Sequence, residues 1–164
     1  MLFFDDKLLL KYSGVTGSFL ALDRANAAYA AYEAAKSDID TAVARDAYHA
    51  AREHAKPFKP FESKSDAALS VLSIISAPIL LTLLALDEML SFIVFSLKSI
   101  AILCTSGADE AKKSGAVAVS HLLDAVKTLL AAAVSPVVNT VDFVSSCVTT
   151  FTTETDENPL GYNA

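Results

Sequence analysis

Few side chains in this sequence have the chemistry of a reactive site, so they are taken first. His49 and His54 flank Glu53 in a His-Ala-Ala-Arg-Glu-His run. Five residues turn a helix through about 500°, which leaves the two rings about 140° apart on different faces. Helical zinc motifs place their histidines four residues apart, so this pair does not grip one metal. Ser120, His121 and Asp124 suggest a nucleophile and a base. On a helix, however, His121 and Asp124 share a face while Ser120 points about 100° away, and no G-x-S-x-G elbow is present. A histidine paired with Asp124 is the expected arrangement. Cys104 and Cys147 form neither a zinc spacing nor a CxxC pair and read as small buried hydrophobes.

Adjacent carboxylates occur at Asp87-Glu88, Asp109-Glu110 and Asp156-Glu157. Neighbours on a helix diverge, so such pairs serve as caps or surface charge. Asp87 and Glu88 differ because they interrupt an apolar run. Inside a bundle they need partners, and Lys98 or Lys127 are the expected ones. No phosphate-binding loop or dinucleotide fingerprint is present. The expectation is therefore no catalytic residue, no cofactor, no metal site and no enzyme.

The elements that would position these groups come next. The chain has 164 residues, a net charge of −6, 53% hydrophobic and 20% charged residues, and a mean hydropathy of +0.43. That fits one domain over 1–164 and excludes intrinsic disorder. The acidic balance offers no footprint for nucleic acid. The first residues contain Asp5 and Asp6 ahead of any lysine, so no export signal is read.

Residues 18–56 hold 14 alanines in 39 positions without Gly or Pro, which predicts one long helix. Ser18 would cap it and Pro57 would end it. Ser37-Asp38-Ile39-Asp40 resembles a capped start, which would divide it into a helix pair. Tyr29, Tyr32 and Tyr48 on this stretch are candidate partner-interface residues.

Residues 57–65 read as a linker and 66–153 as an apolar helical bundle, followed by an acidic tail over 154–164. Three or four helices in antiparallel hairpins are expected in the apolar part. Its polar turn would be Gly107–Gly115. Pro78 and Pro136 are expected at helix starts or kinks. The two prolines lie 58 residues apart, and Asp66-Ala67, Leu72 and Thr82 recur at that offset as Asp124-Ala125, Leu130 and Thr140. This is a weak internal similarity.

Ala67–Leu86 is 20 residues without charge, long enough to cross a bilayer. Ser70, Ser73 and Ser76 step by three along one side of it. A narrow polar stripe of this kind suits the central helix of a globular bundle. A soluble all-α bundle is therefore the leading expectation, and membrane insertion of 67–105 the alternative.

The region Asp66 to Thr153 resembles the apolar helical modules of small substrates of Dot/Icm type IVB secretion systems. The resemblance rests on Ser-Ala-Pro-Ile-Leu (Ser76 to Leu80), Phe-Ser-Leu-Lys-Ser (Phe95 to Ser99) and Ser-Pro-Val-Val-Asn-Thr-Val-Asp (Ser135 to Asp142). The tail is similar to the secretion signal of that group, with Glu154, Asp156 and Glu157 followed by Leu160. The resemblance implies a protein made in a bacterial cytoplasm and delivered into a host cell, or a factor of the secretion machinery. It implies no activity. The resulting expectation is a non-catalytic helical interaction protein that docks to a protein partner, a second copy of itself included, or to a membrane.

Overall fold

The computed structural model describes residues 5–34, 38–105 and 107–156. The fold is all-α, with no strand among these residues. Its helices are α1 (Asp6–Lys11), α2 (Gly14–Ala34), α3 (Asp38–His54), α4 (Lys64–Thr105) and α5 (Ala108–Asp156).

The carboxylate of Asp5 caps α1, accepting from the N–H groups of Lys7 and Leu8 at 3.1 and 3.4 Å. The chain then turns at Tyr12-Ser13, and α2 begins at Gly14, four residues ahead of the expected Ser18. The reason is close approach. A Cβ at Gly17 would lie 2.1 Å from the Leu10 carbonyl oxygen, so only glycine lets α1 fold back on α2 at this point. Gly14 has φ +63°, and a Cβ there would meet the Ser73 hydroxyl at 2.4 Å. The alanine-rich stretch is described as α2 up to Ala34 and α3 from Asp38, and the Ser37 junction lies outside the described residues. Among the described residues, α3 packs on α2 and on neither long helix.

α4 and α5 have 42 and 49 residues, about 63 and 73 Å of helix, and pack along each other as one antiparallel hairpin. The apolar part is thus two long helices, where three or four shorter ones were expected. The connection is short. The Gly107 N–H bonds the Ile102 carbonyl at 3.2 Å, a helix-closing bond, and the Gly107 carbonyl accepts the Ala111 N–H at 3.3 Å to open α5. The expected turn over Gly107–Gly115 is helical from Ala108 onward.

Both prolines lie inside these helices and start neither. Proline has no N–H to give the carbonyl four residues back. At Pro136 that carbonyl belongs to Ala132, and the Ser135 hydroxyl donates to it instead at 2.8 Å. Thr82 donates to the Pro78 carbonyl and Thr140 to the Pro136 carbonyl, each at 2.6 Å. The matched residues of the 58-residue similarity therefore make the same local bond.

The hairpin is held along a seam of small residues. Ala111, Ala118, Ala125, Ala132, Asn139 and Ser146 recur every seventh residue of α5, and all are buried. On α4, Ser73, Ala77, Leu81, Leu84, Ala85 and Ser91 are buried, and Ala77, Leu81 and Leu84 cluster with Ala132 of α5 and with Leu10 and Leu20 of α1 and α2. Small side chains let the backbones approach closely. Two serine hydroxyls bridge directly to the opposite main chain, Ser99 to Ala111 at 2.7 Å and Ser114 to Phe95 at 3.3 Å.

Candidate functional site

With small residues inside, the large apolar side chains stand outside. Among the described residues, thirty large hydrophobic side chains are exposed, and twenty-five of these belong to α4 and α5. Ile75, Leu97, Leu130, Val137 and Phe151 are each more than 60% exposed. Both long helices are long and apolar enough to cross a membrane, and only 28% and 22% of their most apolar windows are buried. A core helix of a water-soluble bundle hides its apolar face. This hairpin presents it.

The serine stripe is accounted for by the same inversion. Ser73 packs against Gly14, and the Ser76 hydroxyl donates to the Tyr12 carbonyl at 3.0 Å. The stripe is where the α1–α2 corner docks. At that corner Asn139 is buried and uses its whole amide. Its Oδ1 accepts from the N–H and hydroxyl of Thr16 at 3.2 and 3.0 Å, while its Nδ2 donates to the carbonyls of Ser13 and Ser73 at 3.2 and 3.1 Å.

A second polar knot lies four helical turns along α4. Glu88, with 4% of its side chain exposed, receives Arg24 Nη2 at 3.0 Å on one oxygen and His121 Nδ1 at 2.6 Å on the other. Arg24 also reaches Asp6 at 3.4 Å. One carboxylate thereby ties α2, α4 and α5 together, and Arg24 extends the knot to α1. The Phe95 ring stacks on His121 with centroids 5.3 Å apart. Asp87 beside it is fully buried, and the buried Ser91 hydroxyl has no hydrogen-bond partner among the described residues.

The expected partners of Glu88 are elsewhere. Lys127 bonds Asp23 at 2.8 Å, and the Lys98 ammonium lies 5.8 Å from the centre of the Phe95 ring. His121 meets Glu88 rather than Asp124. Arg24 was missed because it is 64 residues from Glu88 in sequence and nothing local connects them. A heptad count of small residues on α5 would have found the seam.

Tyr29 and Tyr48 stack on each other across α2 and α3, with centroids 6.0 Å apart. Tyr32 lies on α2 with its side chain outside the described set. Cys147 is half-buried, but Cys104 is exposed near the turn, which corrects its reading as a buried hydrophobe. Among the described residues no three His, Cys, Asp or Glu side chains gather as metal ligands. Helix α5 runs through Glu154 to Asp156, past the expected end at Thr153, while Glu157 and Leu160 lie outside the described residues. On the polar α3, the Lys56 ammonium bonded to Glu53 holds that exposed carboxyl below the usual range.

No protein family, curated protein or solved structure matches this chain.

Proposed function

We propose that the protein is a non-catalytic membrane protein that embeds the α4–α5 hairpin in a lipid bilayer through its apolar outer face. The observation that carries this reading is the inverted distribution of side chains, with the α5 seam built of alanine, serine, threonine and asparagine, and most leucine, isoleucine and valine of the hairpin outside, Leu81 and Leu84 excepted. In a bilayer, helices associate through small residues and internal hydrogen bonds, since lipid tails are as apolar as leucine. In water, each half-exposed Leu, Ile or Val forgoes on the order of 1 kcal/mol of burial. Over the twenty-three such side chains of α4 and α5, the burial forgone in water is on the order of 20 kcal/mol.

The polar groups suit the same setting. The Asn139 knot and the Glu88 knot each pair their donors and acceptors within the protein, as buried polar groups in lipid require. They bracket the level of α4 from Ser73 to Glu88, about 22 Å of helix, most of it within the charge-free run that Asp87 and Glu88 end. The tail motif supports delivery through a type IVB system as the route to that membrane.

Alkaline carbonate extraction of membranes from cells making the full chain tests the reading. Retention in the pellet, with release by detergent, is expected. Quantitative release by carbonate, with a monodisperse protein in detergent-free buffer, would overturn it in favour of a soluble interaction protein.

A further inference from the structure

Two adjoining cavities open where the α1–α2 corner and the Pro57–Ser63 segment meet the first turns of α4. The larger, about 630 Å³, carries Lys11, Lys56, Lys59, Glu62 and Asp66 on its walls and runs down to Leu69 and Leu72. The smaller, about 290 Å³, is walled by Val15, Phe19, Phe58, Val137 and Val141. The two share Val15 and Asp142, so a charged groove continues into an apolar slot. That is the shape of an amphiphile.

The charges of the groove are not spent on each other. Among the described residues, no ion pair joins its lysines to Glu62 or Asp66. Lys56 pairs with Glu53 and Lys59 donates to the Glu53 carbonyl at 2.9 Å, which gathers both ammonium groups at one rim. Asp142 is committed otherwise. It accepts the Phe58 N–H at 2.8 Å and holds that residue at φ +62°, a costly conformation for a bulky side chain. Such strain gathers where a segment is kept in place for a ligand, and here it keeps Phe58 on the wall of the slot.

We propose that this groove binds one phospholipid with a phosphoethanolamine headgroup. The phosphate lies against Lys11, Lys56 and Lys59, and the primary ammonium donates to Glu62 and Asp66. One acyl chain fills the slot between Val15 and Val137, and the other follows Leu69 and Leu72 onto the outer face of the hairpin. A choline headgroup has no N–H to donate to the two carboxylates, and a glycerol headgroup has no cation to neutralise them. The proposal rests on the membrane reading for its setting, and its test is independent of that reading.

The full chain in detergent is incubated with phosphatidylethanolamine, phosphatidylcholine or phosphatidylglycerol and examined by native mass spectrometry. In parallel, it is floated with vesicles of phosphatidylcholine alone or mixed equally with each other lipid. One phosphatidylethanolamine per chain is expected, held about tenfold more tightly than the other two, the worth of one charge-assisted hydrogen bond. Glu62→Gln with Asp66→Asn should abolish that preference while flotation persists. Flotation with all vesicles, with equal lipid occupancy or with a preference for phosphatidylglycerol, would overturn the groove and leave the membrane reading standing. Selective binding in detergent without any flotation would uphold the groove and overturn the membrane reading. Unaltered selectivity in the double variant would overturn the headgroup assignment.

Discussion

Asn139 and Thr16 stand 123 residues apart in the chain and are joined by two hydrogen bonds to a single oxygen, Asn139 Oδ1. With the two bonds from Nδ2, four groups on two segments of chain, the α1–α2 corner and α4, converge on one buried amide of α5, and none of its capacity is left over. Such a fully connected polar group fixes register, because a shift of either long helix would strand several donors and acceptors at once.

Replacing Asn139 with Ala should therefore lower stability in detergent by about 2–3 kcal/mol, the cost of leaving buried polar partners unsatisfied. Asn139→Asp should cost more, since it loses both donors and places a charge in the seam. Thermal unfolding followed by circular dichroism checks the order. A neutral Asn139→Ala would show that the corner is held by packing alone.

At the second knot, Arg24→Met alone leaves the buried Glu88 with His121 as its remaining partner there, and Glu88→Leu alone leaves Arg24 with only the longer contact to Asp6. Each single change should destabilise by roughly 3–5 kcal/mol, as breaking a buried pair does. The double variant should recover much of that loss, because replacing a buried pair whole is often neutral. Chemical unfolding of all four proteins supplies the cycle, and simple additivity would deny the coupling.

The inverted packing separates two kinds of substitution. Ala125→Leu forces bulk into a buried seam position and should cost about 1–3 kcal/mol in detergent or more. The triple change Leu72→Ser, Ile75→Ser and Ile79→Ser falls on exposed positions. It should leave the folded hairpin intact in detergent but reduce its carbonate-resistant fraction severalfold, since each loses apolar surface to lipid. Equal partitioning of wild type and the triple variant would contradict embedding by this face.

Deletion of residues 154–164 should abolish transfer of a reporter fusion from bacterium to host cell if the tail directs delivery. Because Glu154 and Asp156 fall in the last turn of α5, stability of the shortened chain is measured alongside. Undiminished transfer would remove the tail from any signalling role.

Much of the backbone plan is legible along the chain. Alanine content specifies helix, so the helical course of α2 and α3 follows from local preferences. The hairpin is less legible because its logic is inverted. A search for stripes of large apolar residues passes over a seam made of Ala118, Ala125 and Ala132, and it reads Ser73 and Ser76 as a wetted edge. Pro78 and Pro136 carry the local signal of a helix start, yet packing along the partner helix overrides it, with Ser135 repairing the carbonyl that Pro136 abandons. The Glu88 knot was half legible. Its need for partners follows from its place in an apolar run, but their identity depends on which helices meet, and Arg24 and His121 are local to neither neighbour.

The close connection at Gly107 has a topological consequence. Because α4 and α5 double back on one another, the chain enters the hairpin at Lys64 and leaves it at Asp156 at the same end. On the membrane reading, the residues before and after the hairpin stay on whichever face of the bilayer first meets the protein. Insertion on that reading carries in the charges of the tip, Asp109, Glu110, Lys112 and Lys113, two of each sign, together with Asp87, Glu88 and Lys98 on α4 and Asp124 and Lys127 on α5.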